Sequence, residues 1–347
     1  MVVAANQGRG PRVPLVLQRT VRRTTLMSRA VPGPPLVTGG AGFAGRHLVE
    51  RLLESHDTVS AWSNPAGSRP PASHPRVGWS AVDILDLPAI ERALSSTRPS
   101  VIYHCAGLAH VADAWSRADL AMRVNAFGTH LLLEGVRRAG LRCPVVIAGS
   151  ALVYRPSLHP LTEDDPVGPT DPYGVSKLAQ EMVGLRAATP VLIARPFNHA
   201  GPRQSSAFVT SSFARQIAQI EAGLSPPVLS VGNLDAQRDI TDVRDTVRGY
   251  EALAASGRPG VPYNVCSGRT HRVGDLLEAL LRLARVMVRI EPDKSRLRPS
   301  DNPVIAGNPS RIAADTGWRA HTPVERTLSD LLDWWRTVVA ERIGDQP

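Results

Sequence analysis

The stretch LVTGGAGFAGRHLVERLLE, residues 36–54, decides how the chain is read. Leu36 and Val37 begin a short apolar strand. Gly39, Gly42 and Gly45 follow with the spacing G-x-x-G-x-x-G, running through Phe43 and Ala44. Leu48, Val49, Leu52 and Leu53 then recur at helical intervals. Each residue type has a task if this strand, turn and helix hold a dinucleotide. Glycines let the backbone turn sharply and let a pyrophosphate approach closely, while the helix N-terminus offers free N–H groups and the positive end of its dipole. Alone, the glycine triplet fits a plain tight turn. Between a strand and a helix it marks a nucleotide cleft, with Gly39, Gly42, Phe43, Ala44 and Gly45 at the cofactor.

Working outward, TVSAWSN (58–64) is a second strand, and VGWSAVDI (77–84), SVIYHCAG (100–107), PVVIAGS (144–150) and PVLIARPFN (190–198) follow at strand–helix–strand spacing. Apolar strands alternating with helices imply a parallel sheet covered on both faces, a Rossmann-type doubly wound α/β fold. The expected organisation is a cofactor domain over residues 35–195. A smaller C-terminal α/β substrate-binding domain follows over residues 196–347, with segments free to interleave. Ligands of such sheets lie at the carboxyl ends of the strands. Asp83, Ile84, Ala106, Gly107, Ser150 and Asn198 occupy such ends.

The second strand ends in Ser63 and Asn64 rather than an acid, with Arg46 and Arg69 nearby. A missing carboxylate removes repulsion toward a ribose 2′-phosphate, and arginine can pair with one. NADP(H) is therefore favoured, with NAD(H) as the other possibility.

The chain has 40 lysines and arginines, and only Lys177 and Lys294 are lysine. Lys177 lies in DPYGVSKLAQEMVGLRAA, a helical pattern with Pro172 near its start. Tyr173 and Lys177 are i and i+4 and share a face. A compact ammonium beside a phenol favours the ionised form and is expected to lower the Tyr173 pKa. Ser150 could bond the same reacting oxygen.

With these residues in view, the chain resembles the extended short-chain dehydrogenase/reductase family that acts on nucleotide sugars. The resemblance rests on Gly39, Gly42, Gly45, Ser150, Tyr173 and Lys177 and covers nearly everything from residue 35 onward. It implies that Tyr173 is the acid/base, that Lys177 also holds the nicotinamide ribose, and that Ser150 orients the sugar oxygen. It likewise implies an adenine contact at Asp83, a supporting asparagine at Asn125, and cofactor contacts from Arg195 and Pro196. Asn198, Val209, Arg238 and Arg298 fall on the side of the nucleotide-diphosphate sugar. For Arg238 and Arg298, a salt bridge with Asp239, Asp242 or Asp301 is the competing reading. A homodimer is implied as well.

The phrases GPRQ, FVTSSFARQIAQIE, VGNLDAQRDITDVRD, YNVCSG and RLRPSD most resemble GDP-4-dehydro-6-deoxy-D-mannose reductases, and secondarily GDP-mannose 4,6-dehydratases. One departure chooses between them. The dehydratases carry a glutamate two residues after the catalytic Ser/Thr; here Leu152 stands there, and leucine cannot remove a proton. The resemblance thus implies 4-keto reduction to GDP-D-rhamnose, with a 4-epimerase or a non-catalytic NAD(P)-sensing regulator as alternatives.

Bulk properties fit a globular protein. The chain has 347 residues, 43% hydrophobic and 20% charged, long enough for one large domain or two joined ones. No apolar run approaches the roughly 20 residues of a membrane helix. The formal charge is +9, but six of those charges are Arg9, Arg12, Arg19, Arg22, Arg23 and Arg29. The rest is nearly balanced, without basic and aromatic residues interleaved, so no nucleic-acid partner is expected. Residues 1–34 read as a disordered or artefactual tail, with a start at Met27 as one explanation and a transit peptide as another. Cys105, Cys143 and Cys266 are far apart, and the histidines lack i, i+4 pairs. No metal is expected, and the thiols fit a reducing, cytoplasmic setting.

Overall fold

Seven strands form one all-parallel sheet in the computed structural model, which describes residues 33–67, 70, 74–296 and 302–344. Six of the seven are, in chain order, β1 (Leu36–Thr38), β2 (Val59–Ser63), β3 (Val77–Ala81), β4 (Ile102–His104), β5 (Val145–Ala148) and β6 (Val191–Pro196). Most lie inside the apolar runs picked from the sequence. Strands such as VVIA and VLIARP are buried on both faces, which is why they read as continuous apolar runs instead of alternating ones.

The helices follow as α1 (Phe43–Leu52), α2 (Leu87–Thr97), α3 (Val111–Ser116), α4 (Ala118–Ala121), α5 (Gly128–Arg138) and α6 (Pro172–Leu185). Their starts are chemically marked. The Asp86 carboxylate accepts the Ala89 N–H at 3.0 Å, and Asp171 accepts Gly174 N–H at 2.8 Å ahead of Pro172.

Side chains alternate across the sheet. Leu36, Ile147 and Ile193 point into a core with α2 and α5, while Val37, Val146 and Leu192 face the opposite core against α1. The remaining elements are β7 (Asn198–Ala200), α7 (Val209–Glu221), β8 (Val228–Val231), β9 (Gln237–Asp242), α8 (Val243–Ser256) and β10 (Pro262–Val265). Then come β11 (Thr270–Arg272), α9 (Val273–Leu283), β12 (Arg289–Pro292), β13 (Val304–Ile305), α10 (Ser310–Thr316) and α11 (Val324–Gly344). α7, α9 and α11 close a third core around Phe213, Leu276 and Leu331. Trp334 and Trp335 meet edge to face there, with centroids 4.7 Å apart.

The chain does not stay on one side of residue 195. β10 returns to pair with β6, and α8 packs under the large sheet, so the described residues form one compact unit. The tail expected over residues 1–34 lies outside the described residues, Gly33 and Pro34 apart, as do Arg69 and Arg298. Among the described residues, no helix is long and apolar enough to cross a membrane, and no cluster of acidic, histidine or cysteine side chains is placed to hold a metal.

Candidate active site

The strand order β10-β6-β5-β4-β1-β2-β3 reverses direction between β1 and β4. Chain segments leaving those two strands diverge, which opens a crevice at their carboxyl ends. A cleft of about 240 Å³ lies there, lined among others by Gly39, Gly42, Ser63, Asn64, Ile84 and Gly107. Ala106, also expected, lies at its wall. Sequence reading missed Thr38, Ala41, Trp62, Val82, Cys105 and Val124, which line it too. The signal for several was present, since Thr38, Trp62 and Cys105 directly flank predicted strand ends.

Gly39 has φ +66°, and a Cβ there would fall 2.7 Å from the Ala106 nitrogen, so both backbone conformation and crowding demand glycine. No side chain caps α1, and its first turn holds no acid. Its leading N–H groups are thus available to an anion.

Six expected cofactor residues, Phe43, Ala44, Gly45, Asp83, Arg195 and Pro196, do not line this cleft. Phe43 stacks on His199 with ring centroids 5.7 Å apart, while Ala44 and Gly45 begin the helix behind the turn. Asp83 turns back on its own loop, its carboxylate accepting the Leu85 N–H at 2.9 Å. The Arg195 side chain is turned inward. Its guanidinium is buried and pairs with Glu181 through bonds of 3.0 and 2.5 Å, 4.7 Å above the Tyr154 ring. A buried cation needs a buried counter-charge, and that pairing fixes it inside the core. Pro196 ends β6 opposite Val265, also buried.

Ser150, Tyr173 and Lys177 come together beside the cleft. Ser150 leaves the end of β5, its hydroxyl accepting the Leu152 N–H at 3.1 Å and lying near enough to the Tyr173 phenol to oppose the rise in its pKa. The Lys177 ammonium lies 5.9 Å from the Tyr173 ring centroid. A Cβ built on Gly107 would sit 3.6 Å from Lys177 Nζ and 2.8 Å from Asn125 Oδ1, so Gly107 separates cleft from ammonium by backbone alone. Asn125 occupies a π-helical turn, Met122–Phe127, and is fully buried. Its Oδ1 accepts Leu108 N–H at 2.8 Å and its Nδ2 donates to Ser176 Oγ at 2.9 Å, bracing the loop after β4 against α6.

The electrostatics differ from the expected phenolate tuning. Burial pushes the Tyr173 phenol up to about 12, opposed by the Ser150 bond. Burial also presses Lys177 down to about 8. Desolvation is the largest cause for both groups, and it disfavours the charged form of each. The phenol is thus held protonated.

Asn198 lies on β7 opposite Ile240, and Arg238 sits two residues earlier on β9, so register puts them on one face. The Arg238 guanidinium donates to the Gln237 carbonyl at 2.9 Å. Val209 is the first residue of α7 and is exposed. None of the three lines the dinucleotide cleft. One link is His110, just before α3, whose ring reaches the Ala207 carbonyl at 3.2 Å.

A switch-point cleft with a Ser–Tyr–Lys cluster at its edge defines an extended short-chain dehydrogenase/reductase. The chain belongs to the family described as GDP-mannose 4,6 dehydratase, which matches residues 36–331. It is 33% identical over 312 residues to the GDP-6-deoxy-D-mannose reductase of Pseudomonas aeruginosa, spanning 88% of this chain and 98% of that one. The solved structure of RMD from Pseudomonas aeruginosa complexed with NADPH is similar at a TM-score of 0.77 and 31% identity, covering 88% of this chain and 99% of that one. UDP-glucose 4-epimerase from Thermus thermophilus, solved with NAD, is similar at a TM-score of 0.78 and 28% identity, covering 87% and 99%.

Proposed function

We propose that this enzyme reduces the 4-keto group of a 6-deoxy nucleotide sugar, converting GDP-4-dehydro-6-deoxy-D-mannose to GDP-D-rhamnose with NADP(H) favoured over NAD(H). The observation that carries this reading is Leu152. It sits in the one-turn helix Ala151–Val153 and packs against the cluster of Ala114, Ala121 and Tyr173. A dehydration through the sugar C5 proton needs a base at that place, and an alkyl side chain supplies none.

The residues fit a dinucleotide: an uncapped helix start without acid, a left-handed Gly39, and a β2 end free of carboxylate. NADPH, when bound, supplies the hydride. Tyr173 Oη holds the proton destined for the sugar O4, and its raised pKa keeps it protonated at neutral pH, as an acid requires. The Ser150 hydroxyl polarises the carbonyl from the same side. Asn198, Val209 and Arg238 are proposed for the nucleotide-diphosphate sugar, with Arg298 outside the described residues.

A homodimer in the cytoplasm completes the reading. Val175, Met182 and Leu185 of α6 and Trp115, Met122 and Phe127 beside it form exposed apolar faces. Light scattering at twice the 37.3 kDa chain mass tests this.

The deciding experiment follows NADPH absorbance during turnover of the 4-keto sugar. Consumption equal to product supports reduction; conversion without consumption makes the chain a 4-epimerase. Tyr173→Phe should lower kcat by about 10²–10⁴ with a small change in KM. Unchanged turnover in that variant would end the catalytic assignment.

A further inference from the structure

Behind the ammonium runs a buried hydrogen-bond chain whose every direction is forced. It starts at Thr129, which donates its hydroxyl hydrogen to the Asn125 carbonyl at 2.6 Å, because a carbonyl only accepts. With that hydrogen spent, Thr129 Oγ1 can only accept from its two other neighbours. Gln180 Nε2 therefore donates to it at 2.9 Å, and His104 Nε2 donates at 2.8 Å. The first bond fixes the Gln180 amide with its oxygen toward Lys177, whose Nζ donates to Gln180 Oε1 at 2.9 Å. The second fixes the His104 tautomer with a bare Nδ1. Thr38 must then donate to Nδ1 at 2.8 Å, while its oxygen receives the Ala106 N–H at 3.3 Å.

The chain thus ties the glycine-turn strand to the ammonium. Burial together with the Lys177 charge holds His104 neutral, with its pKa lowered to about 3, so the single tautomer survives any working pH. Lys177 also donates to the Ala148 carbonyl at 2.7 Å. Two of the three ammonium hydrogens are taken from behind, and one remains for the cleft beyond Gly107.

We propose that Gln180 is a positioning residue for Lys177: its oriented amide oxygen, locked by Thr129 and His104, holds the ammonium charged and turns its one remaining N–H toward the cofactor cleft. The proposal deepens the function proposed above and rests on Lys177 serving that site. Gln180 acts only through Lys177. The other titratable groups around the ammonium are His104 on β4, Cys105 just after it, and Tyr173 on α6. Burial keeps the Cys105 thiol and Tyr173 phenol neutral, each pushed up to about 12, so Gln180 and Ala148 supply the acceptors.

The test reads Lys177 directly. The chain has only two lysines, so ¹³C-lysine labelling gives two side-chain signals, one buried and one from exposed Lys294. Titration should place Lys177 near pH 8. Gln180→Met, close in shape but without the acceptor, should lower that midpoint by about one pH unit. Gln180→Glu, which brings a carboxylate, should raise it by a similar amount. Midpoints within a few tenths of the wild type in both folded variants would overturn the proposal, because packing alone predicts no such opposed movement. Ring ¹⁵N signals of His104 should show Nε2 protonated and Nδ1 bare from pH 5 to 9; the opposite tautomer would equally overturn it. Neither readout needs a substrate, so failure of the reductase reading leaves this test intact. If that reading also holds, the alkaline limb of kcat/KM shifts with the Lys177 midpoint in each variant.

Discussion

Gly45 lies directly behind Gly39: a Cβ at residue 45 would fall 2.2 Å from the Gly39 carbonyl oxygen. Two glycines are therefore pressed together, one for its left-handed backbone and one for want of a side chain. Gly42, by contrast, would bring its Cβ to 3.1 Å from that same oxygen. The crowded contact at residue 45 is with backbone, which cannot swing away. Gly45→Ala should weaken NADPH binding by at least about tenfold, and Gly42→Ala by clearly less, read by fluorescence quenching. Equal effects would mean that the turn adapts freely.

The Glu181–Arg195 pair is buried on both sides, with each side chain 4% exposed. Removing one charge leaves the other stranded without water. Glu181→Gln should cost about 3–5 kcal/mol in urea unfolding. Because Arg195 is held in the core away from the cleft, NADPH affinity should stay within about twofold. A large loss of affinity with little loss of stability would return Arg195 to the cofactor.

His104 gives an acid-side signature. Its folded pKa is lowered from 6.5 to about 3, mainly by burial. The unfolded chain therefore binds a proton that the folded chain refuses between those values. Stability is fully present above pH 6.5 and falls as pH drops through the window, by about 1.4 kcal/mol per pH unit from this group. His104→Gln should flatten the stability curve between pH 6 and 4 by that slope. Parallel curves for the two proteins would show that His104 takes up its proton while folded.

Leu152 separates reduction from elimination. In deuterated solvent the wild type should leave the sugar C5 hydrogen unexchanged during turnover. Leu152→Glu places a carboxylate beside Tyr173, where burial raises its pKa and makes it a stronger base. Slow deuterium uptake at C5 is expected in that variant alone, by mass spectrometry. Exchange in the wild type would argue for another base.

Much of the site was legible because local geometry carried it. The i, i+4 spacing put Tyr173 and Lys177 on one helical face, and the glycine spacing announced the turn. Strand ends pointed to Ser150, Ala106 and Gly107. Gln180, Thr129 and His104 were not legible, although Gln180 is only three residues beyond Lys177. Nothing in the helix says which outward groups meet two other elements 51 and 76 residues away.

The sequence by itself determined the parallel sheet, the dinucleotide turn and the Ser–Tyr–Lys set, since each depends on spacing within one strand, turn or helix. Tertiary structure alone decided that Arg195 is a core ion pair and that Asp83 folds onto its own loop. It also decided that the phenol is held protonated instead of ionised. The reason is desolvation: a charge takes its pKa and its partners from the groups packed around it, and packing joins residues that spacing along the chain does not connect.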